Sequence, residues 1–300
     1  GTLNALGLIS TFRFDFKNAE RLHKDAIKYL KKVHSEKEVL ASQPYICNLA
    51  NVYLYSGRYK EAEKLLDEYY QPEEDIKKEV TTNILHELIT YANLRFFQGK
   101  YEESVRYFNF AITKDHALAG RDTSDIAFTL VGLSDVYLEM EDYDKAEDAL
   151  KKAIEIFDNT PQLSENVKSD AFCRLAKVYI AKGDYSKAEQ LSKQALKWNK
   201  QKSGYKCPSA ADNYENLGII YMHLGKMYKS KRYLMKSLKI RKVFFKDYLS
   251  PDLASSYLSL SKYYKKKGDS VKAEKFHKIA FEMYKKLYDI DHPKLKGLTN

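Results

Sequence analysis

The chain is poor in the residues that interrupt helices, with 6 Pro and 12 Gly in 300 residues. That leaves little punctuation for a succession of short strands and turns, while Lys, Glu, Ala and Leu are plentiful, so the chain reads as helices joined by short connections. Cysteine is scarcer still, at 3. Cys47, Cys173 and Cys207 form no CxxC pair and no zinc-holding spacing with histidine, and their odd number excludes a complete disulfide framework, so a reducing, cytoplasmic compartment is expected. No run approaches roughly 18 uninterrupted apolar residues, and no basic segment followed by an apolar core opens the chain, so neither a membrane segment nor a secretory leader is expected.

The sequence also lacks the marks of an active site. It has no Gly-rich phosphate loop, no GxSxG elbow, no HExxH and no cysteine with a plausible histidine partner. The seven histidines have no ligand spacing. Carboxylate pairs such as Glu73 and Glu74 read as charges favourable to a helix start. No catalysis, no cofactor and no metal is therefore expected. Negative charge is short in one region only: residues 201 to 300 hold 22 Lys plus Arg against 9 Asp plus Glu, and the first 200 hold 29 against 32. A basic final third is either a solvated lysine-rich surface or a surface for an acidic partner.

What the sequence does have is a repeat. A turn residue recurs at Phe14, Gly57, Gly99, Glu141, Gly183, Gly225 and Gly268, every 42 or 43 residues, and five of the seven are Gly, which suits a left-handed helix end. Two residues after the turn stands a large side chain in six of seven repeats: Phe16, Tyr59, Tyr101, Tyr143, Tyr185 and Met227. Five after it the residue is always small, from Ala19 through Ala62, Ser104, Ala146, Ala188 and Ser230 to Ala273. Seven before it is small again: Gly7, Ala50, Ala92, Ser134, Ala176, Gly218 and Ser261. Four before it stand Tyr53, Tyr137, Tyr179, Tyr221 and Tyr264, with Ser10 and Arg95 as exceptions. Small residues let two helices approach closely, and the recurrent aromatics are read as packing between helices.

This pattern resembles the tetratricopeptide repeat family over nearly the whole chain, and its long period, with the Ser250-Pro251 and Asp291-His292-Pro293 connections and the Asn48-Leu49-Ala50 and Asn216-Leu217-Gly218 signatures, is similar to the kinesin light chain branch. The resemblance implies an all-α fold, an α-solenoid wound as a right-handed superhelix of seven helix-turn-helix units. Residues 1 to 300 are expected to form a single solenoid, with 291 to 300 beginning an incomplete next helix or a C-terminal cap. It further implies a concave groove lined by the first helix of each repeat, with ligand contacts about six, three and two residues before the turn.

Carried onto this chain, those positions give Leu8, Asn51, Asn93, Asp135, Lys177, Ile219 and Lys262 six before the turn, and Tyr55, Phe97, Glu139, His223, Lys265 and Lys266 further along. Asn51 and Asn93 would either hold a peptide backbone or serve solvated and inter-helix hydrogen bonds. Cys47, Phe128 and Gly132 stand where a carboxylate clamp needs basic residues, which argues against a chaperone-tail clamp. Tyr55, Phe96 and Phe97 would give an apolar floor, and Lys177, Lys262, Lys265 and Lys266 an electropositive stretch. The expected function is thus a non-catalytic scaffold for a protein or extended peptide of acidic character. Two alternatives stand beside it: a peptide-sensing regulatory arm of a larger regulator or enzyme, and nucleic-acid binding through the basic final third. That third holds just Arg232 and Arg241 among its cations, which argues against phosphate readout. A homo-oligomer through the terminal repeats is a further possibility, since a solenoid needs capped ends.

Overall fold

A computed structural model describes residues 2–33, 43–70, 82–160, 167–203, 207–246 and 248–299; Glu73 and Glu74 lie outside them. The described residues form fifteen α-helices and no strand. They are α1 (Thr2–Phe12), α2 (Phe16–Val33), α3 (Gln43–Tyr55), α4 (Tyr59–Tyr69), α5 (Thr82–Phe97), α6 (Tyr101–Ala119), α7 (Ser124–Glu139) and α8 (Tyr143–Asp158). Then follow α9 (Lys168–Ala181), α10 (Tyr185–Ser203), α11 (Pro208–His223), α12 (Met227–Phe244), α13 (Pro251–Lys267), α14 (Ser270–Leu287) and α15 (Pro293–Thr299). Odd-numbered helices are the first of each repeat and even-numbered ones the second. The chain divides into two compact units, Gly1–Arg121 with repeats one to three and Asp122–Asn300 with repeats four to seven and α15.

The turns follow from backbone chemistry. All seven turn residues adopt positive φ, between 59° and 83°. In every repeat the following N–H donates to the carbonyl five residues back, as Arg58 does to Tyr53 and Asp184 to Tyr179, while the turn residue's own N–H reaches three residues back. This double bond pattern closes the first helix on its last carbonyls and reverses the chain. Phe14 and Glu141 hold the same conformation at a cost of about 1–2 kcal/mol each.

Both sets of small residues are buried, and they set the distance between the paired helices. Three of the four serines there donate to a partner-helix carbonyl, Ser104 to Ala92 at 2.7 Å, Ser230 to Gly218 at 2.7 Å and Ser261 to Ala273 at 2.8 Å, whereas Ser134 donates to Val131 of its own helix. A Cβ built on Gly218 would meet the Leu234 side chain at 2.6 Å and its backbone nitrogen at 3.1 Å, so no larger residue fits without displacing α12.

The tyrosines four before the turn are half-buried or buried, and three of them donate to a glutamate six after the turn of the preceding repeat. Tyr53 reaches Glu20 at 3.3 Å, Tyr179 reaches Glu147 at 2.9 Å and Tyr221 reaches Glu189 at 2.7 Å. Arg95, the exception to the aromatic, keeps the partner: its guanidinium meets Glu63 at 2.6 Å. One register position therefore carries a polar latch at four steps between repeats: one to two, two to three, four to five and five to six. Positions 105 and 231, six after the third and sixth turns, are Val and Lys and offer no acceptor.

Within each unit the first helices of consecutive repeats pack on one another, α1 on α3 on α5 and α7 on α9 on α11 on α13, whereas no second helix packs comparably on the next second helix. Tighter spacing on one side curves the stack toward it, so the first helices line the inner wall.

Candidate functional site

In unit 1 the inner wall brings Asn51 and Asn93 to the same position of consecutive first helices, α3 and α5. Asn51 Oδ1 is buried and has no hydrogen-bond partner among the described residues, and the Asn93 side chain makes no hydrogen bond among them either. Buried amide atoms are normally satisfied, so the Asn51 carbonyl is an unmet acceptor among the described residues. The signature asparagines behave differently. Asn48 donates to Asn4 Oδ1 at 3.0 Å, and Asn216 to the Cys173 carbonyl at 2.9 Å, so both are spent joining first helices. Phe97 stacks on Tyr59 with centroids 5.2 Å apart and meets Phe96 edge-on at 5.3 Å, which fixes the ring half-buried on the wall. Tyr55, one repeat earlier, is 48% exposed.

The inner wall of unit 2 is charged with both signs. Arg174 Nε donates to Asp135 Oδ2 at 2.8 Å. Lys177 lies near Asp212 and Asp135, and these carboxylates hold its pKa above the ordinary value although desolvation is the largest influence and acts the other way. Arg174, Lys177 and Asp212 are half-buried and Asp252 is exposed, and desolvation is the largest influence on the pKa of each. Lys294 Nζ, on α15, meets Glu139 Oε1, at the end of α7, at 2.8 Å. Four repeats thus curve far enough for the two ends of the unit to touch across the inner face.

Lys262, Lys265 and Lys266 are exposed on α13, and His223 is exposed at the end of α11. Neither these three lysines nor Lys177 has an ion pair among the described residues, but Lys177 has Asp212 and Asp135 near enough to raise its pKa. The sequence grouped Lys177 with them; the structure separates it, because Asp135 and Asp212 come from neighbouring first helices that sequence distance hides.

Arg241, counted among the cations of the final third, is not a surface charge. It is 2% exposed and holds Glu215, itself 5% exposed, at 2.7 Å. Several lysines of that third lie over tyrosine rings, with Lys229 5.4 Å from the Tyr221 centroid, Lys236 5.1 Å from Tyr214 and Lys272 5.5 Å from Tyr264. Part of the basic character is therefore committed to packing. Burial pushes the Cys47 and Cys173 thiols up to about 11 and about 12, so both stay protonated at neutral pH and are poor nucleophiles. No group of His, Cys, Asp and Glu among the described residues could hold a metal ion. No described helix is long and apolar enough to cross a membrane.

Residues 3–215 match the family model described as the MalT-like TPR region, and residues 209–286 match the tetratricopeptide repeat model. A curated relative, interferon-induced protein with tetratricopeptide repeats 2 of Cricetulus griseus, is 39% identical over 89 residues, which is 29% of this chain and 17% of the relative's length. Among solved structures, a Rap protein complexed with competence and sporulation factor is similar with a TM-score of 0.72 and 15% identity, over 95% of this chain and 77% of that one. NprR in complex with its cognate peptide NprX is similar with a TM-score of 0.70 and 15% identity, over 99% of this chain and 82% of that one. Kinesin light chain-like repeats of Podosopora anserina give 0.52 and 18%, over 70% and 98%.

Proposed function

The chain belongs to the tetratricopeptide repeat family, and on that footing we propose that it is a non-catalytic scaffold that holds a protein segment or extended peptide against the inner wall of its first helices. The observation that carries this reading is the pair Asn51 and Asn93, which stand at the same position of adjacent repeats and make no side-chain hydrogen bond among the described residues. A side-chain amide can both accept from and donate to a peptide backbone, so such a ladder binds extended chain without demanding a sequence. Phe97 and Tyr55 beside it supply apolar contact. In unit 2, Lys262, Lys265, Lys266 and His223 supply positive charge and Asp135 and Lys177 a mixed-sign wall, which favours an acidic stretch in the ligand. On this reading residues 1 to 300 work as one array in the cytoplasm. That the NprR structure contains its cognate peptide NprX, and the Rap structure a bound competence and sporulation factor, supports peptide as the ligand class.

The test is binding, by fluorescence anisotropy, of peptides selected from a random library with the full chain. Asn51→Ala/Asn93→Ala is expected to weaken them about tenfold or more, two backbone hydrogen bonds being worth about 1–3 kcal/mol together. Unchanged affinity with unchanged helicity contradicts the asparagine ladder.

A further inference from the structure

At the step from repeat six to repeat seven, three groups able to carry positive charge stand together on exposed side chains. His223 and Lys266 occupy the same position, two before the turn, in consecutive first helices, and Lys262 lies one helical turn before Lys266 on α13. Tyr185, at the start of α10, stacks on the His223 ring with centroids 4.8 Å apart, and its hydroxyl lies 2.9 Å from Nδ1. The nearby carboxylate that could neutralise the group is otherwise engaged, Asp184 being taken by Lys187 at 3.2 Å, and Lys226, a further cation, lies over the Tyr221 ring. Elsewhere on the wall a comparable charge is met within the chain, as Glu139 is by Lys294 and Lys182 by Asp144 and Glu147. Here none of the described carboxylates pairs with Lys262 or Lys266.

We propose that His223, Lys262 and Lys266 form a proton-gated seat for a carboxylate-rich peptide segment, with Tyr185 positioning the imidazole. The proposal rests on the reading that unit 2 takes an acidic ligand, and adds how that ligand is sensed. In the free protein, desolvation, then Lys266 and Lys262, hold the imidazole below its ordinary pKa and so keep it neutral at neutral pH. Carboxylates entering between the lysines cancel that repulsion. The ring then takes one proton from bulk water, at the nitrogen that was unprotonated, and becomes the third cation. The Tyr185 hydroxyl can accept from Nδ1–H in the charged form, so the contact survives the change. The sign follows: the complex binds the proton more tightly than the free chain does, so affinity strengthens as pH falls, with a ceiling of about tenfold per pH unit for one linked proton.

The experiment is calorimetric titration of the full chain with an acetylated hexaglutamate peptide at pH 7.5 and 6.5, in two buffers of different ionisation enthalpy. The expected result is several-fold tighter binding at pH 6.5 with net proton uptake. His223→Gln is expected to bind with the weaker affinity at both pH values and no uptake, and Lys262→Ala/Lys266→Ala to lose about tenfold or more. Binding with the same pH slope in His223→Gln overturns the gate while leaving the acidic-ligand reading intact. Failure of hexaglutamate to bind at either pH overturns both, as does its displacement by duplex DNA that binds more tightly to the same lysines.

Discussion

Replacing Arg241 by methionine is expected to lower the stability of unit 2 by about 3–5 kcal/mol, read as a shift in its urea or thermal unfolding transition. One guanidinium on α12 donates to Glu215 at 2.7 Å and to Asp212 on α11, and to the Asp252 carbonyl at 2.7 Å and Ser256 Oγ at 2.6 Å on α13. Glu215 in turn accepts from Ser259 at 2.7 Å and Ser255 at 3.3 Å. Removing the cation leaves the Glu215 carboxylate buried against serines with no counter-charge, and the loss comes from that stranded charge more than from the pair itself. Arg241→Met/Glu215→Leu is therefore expected to recover most of the loss, because an apolar pair of similar volume leaves no fully buried carboxylate without a counter-charge. A single variant as stable as the double would mean that solvent reaches Glu215 freely.

His23 is expected to make unit 1 acid-labile. It stands nine residues after its turn, where Leu66, Phe108, Leu150 and Leu234 stand in other repeats, and it is fully buried with neither ring nitrogen partnered among the described residues. Gly7 admits it: a Cβ there would lie 2.6 Å from the ring. Burial lowers its pKa from 6.5 to about 4. A depressed histidine binds its proton more readily in the unfolded chain, so this stability is present above the unfolded pKa and is lost as pH falls from about 6.5 toward about 4, amounting to about 3 kcal/mol. Glu20 and Glu63 also have lowered pKa values, but theirs is lost below the ordinary carboxylate range, so histidine dominates the window between. Denaturant unfolding of His23→Leu is expected to show a more stable unit 1 and a flat pH profile across that window. The same slope in wild type and variant would assign the acid effect elsewhere.

The turns, the small inner residues and the helix pairs were legible in the sequence because each is fixed within about forty residues by backbone geometry, and a 42-residue period repeats the signal. Phe14 and Glu141 are instructive: register alone assigned them to the turn, and both take the left-handed conformation that their own chemistry disfavours. The glutamates at Glu20, Glu63, Glu147 and Glu189 were equally periodic, yet they gain meaning only beside the tyrosine or arginine of the next repeat. The charges were the least legible. Lys177 among carboxylates, Arg241 in the core and Lys294 on Glu139 all depend on curvature that brings distant helices together, and no local pattern encodes that angle.

The central claim is that ligands lie on the first helices. A photo-reactive phenylalanine analogue at position 97 or 219, on first helices, is compared with the same residue at exposed positions 113 and 194 of second helices, using library-selected peptides on the full chain. Covalent peptide adducts from 97 and 219 and none from 113 and 194 are the expected outcome. Adducts confined to 113 and 194 would put recognition on the outer helices and contradict the account.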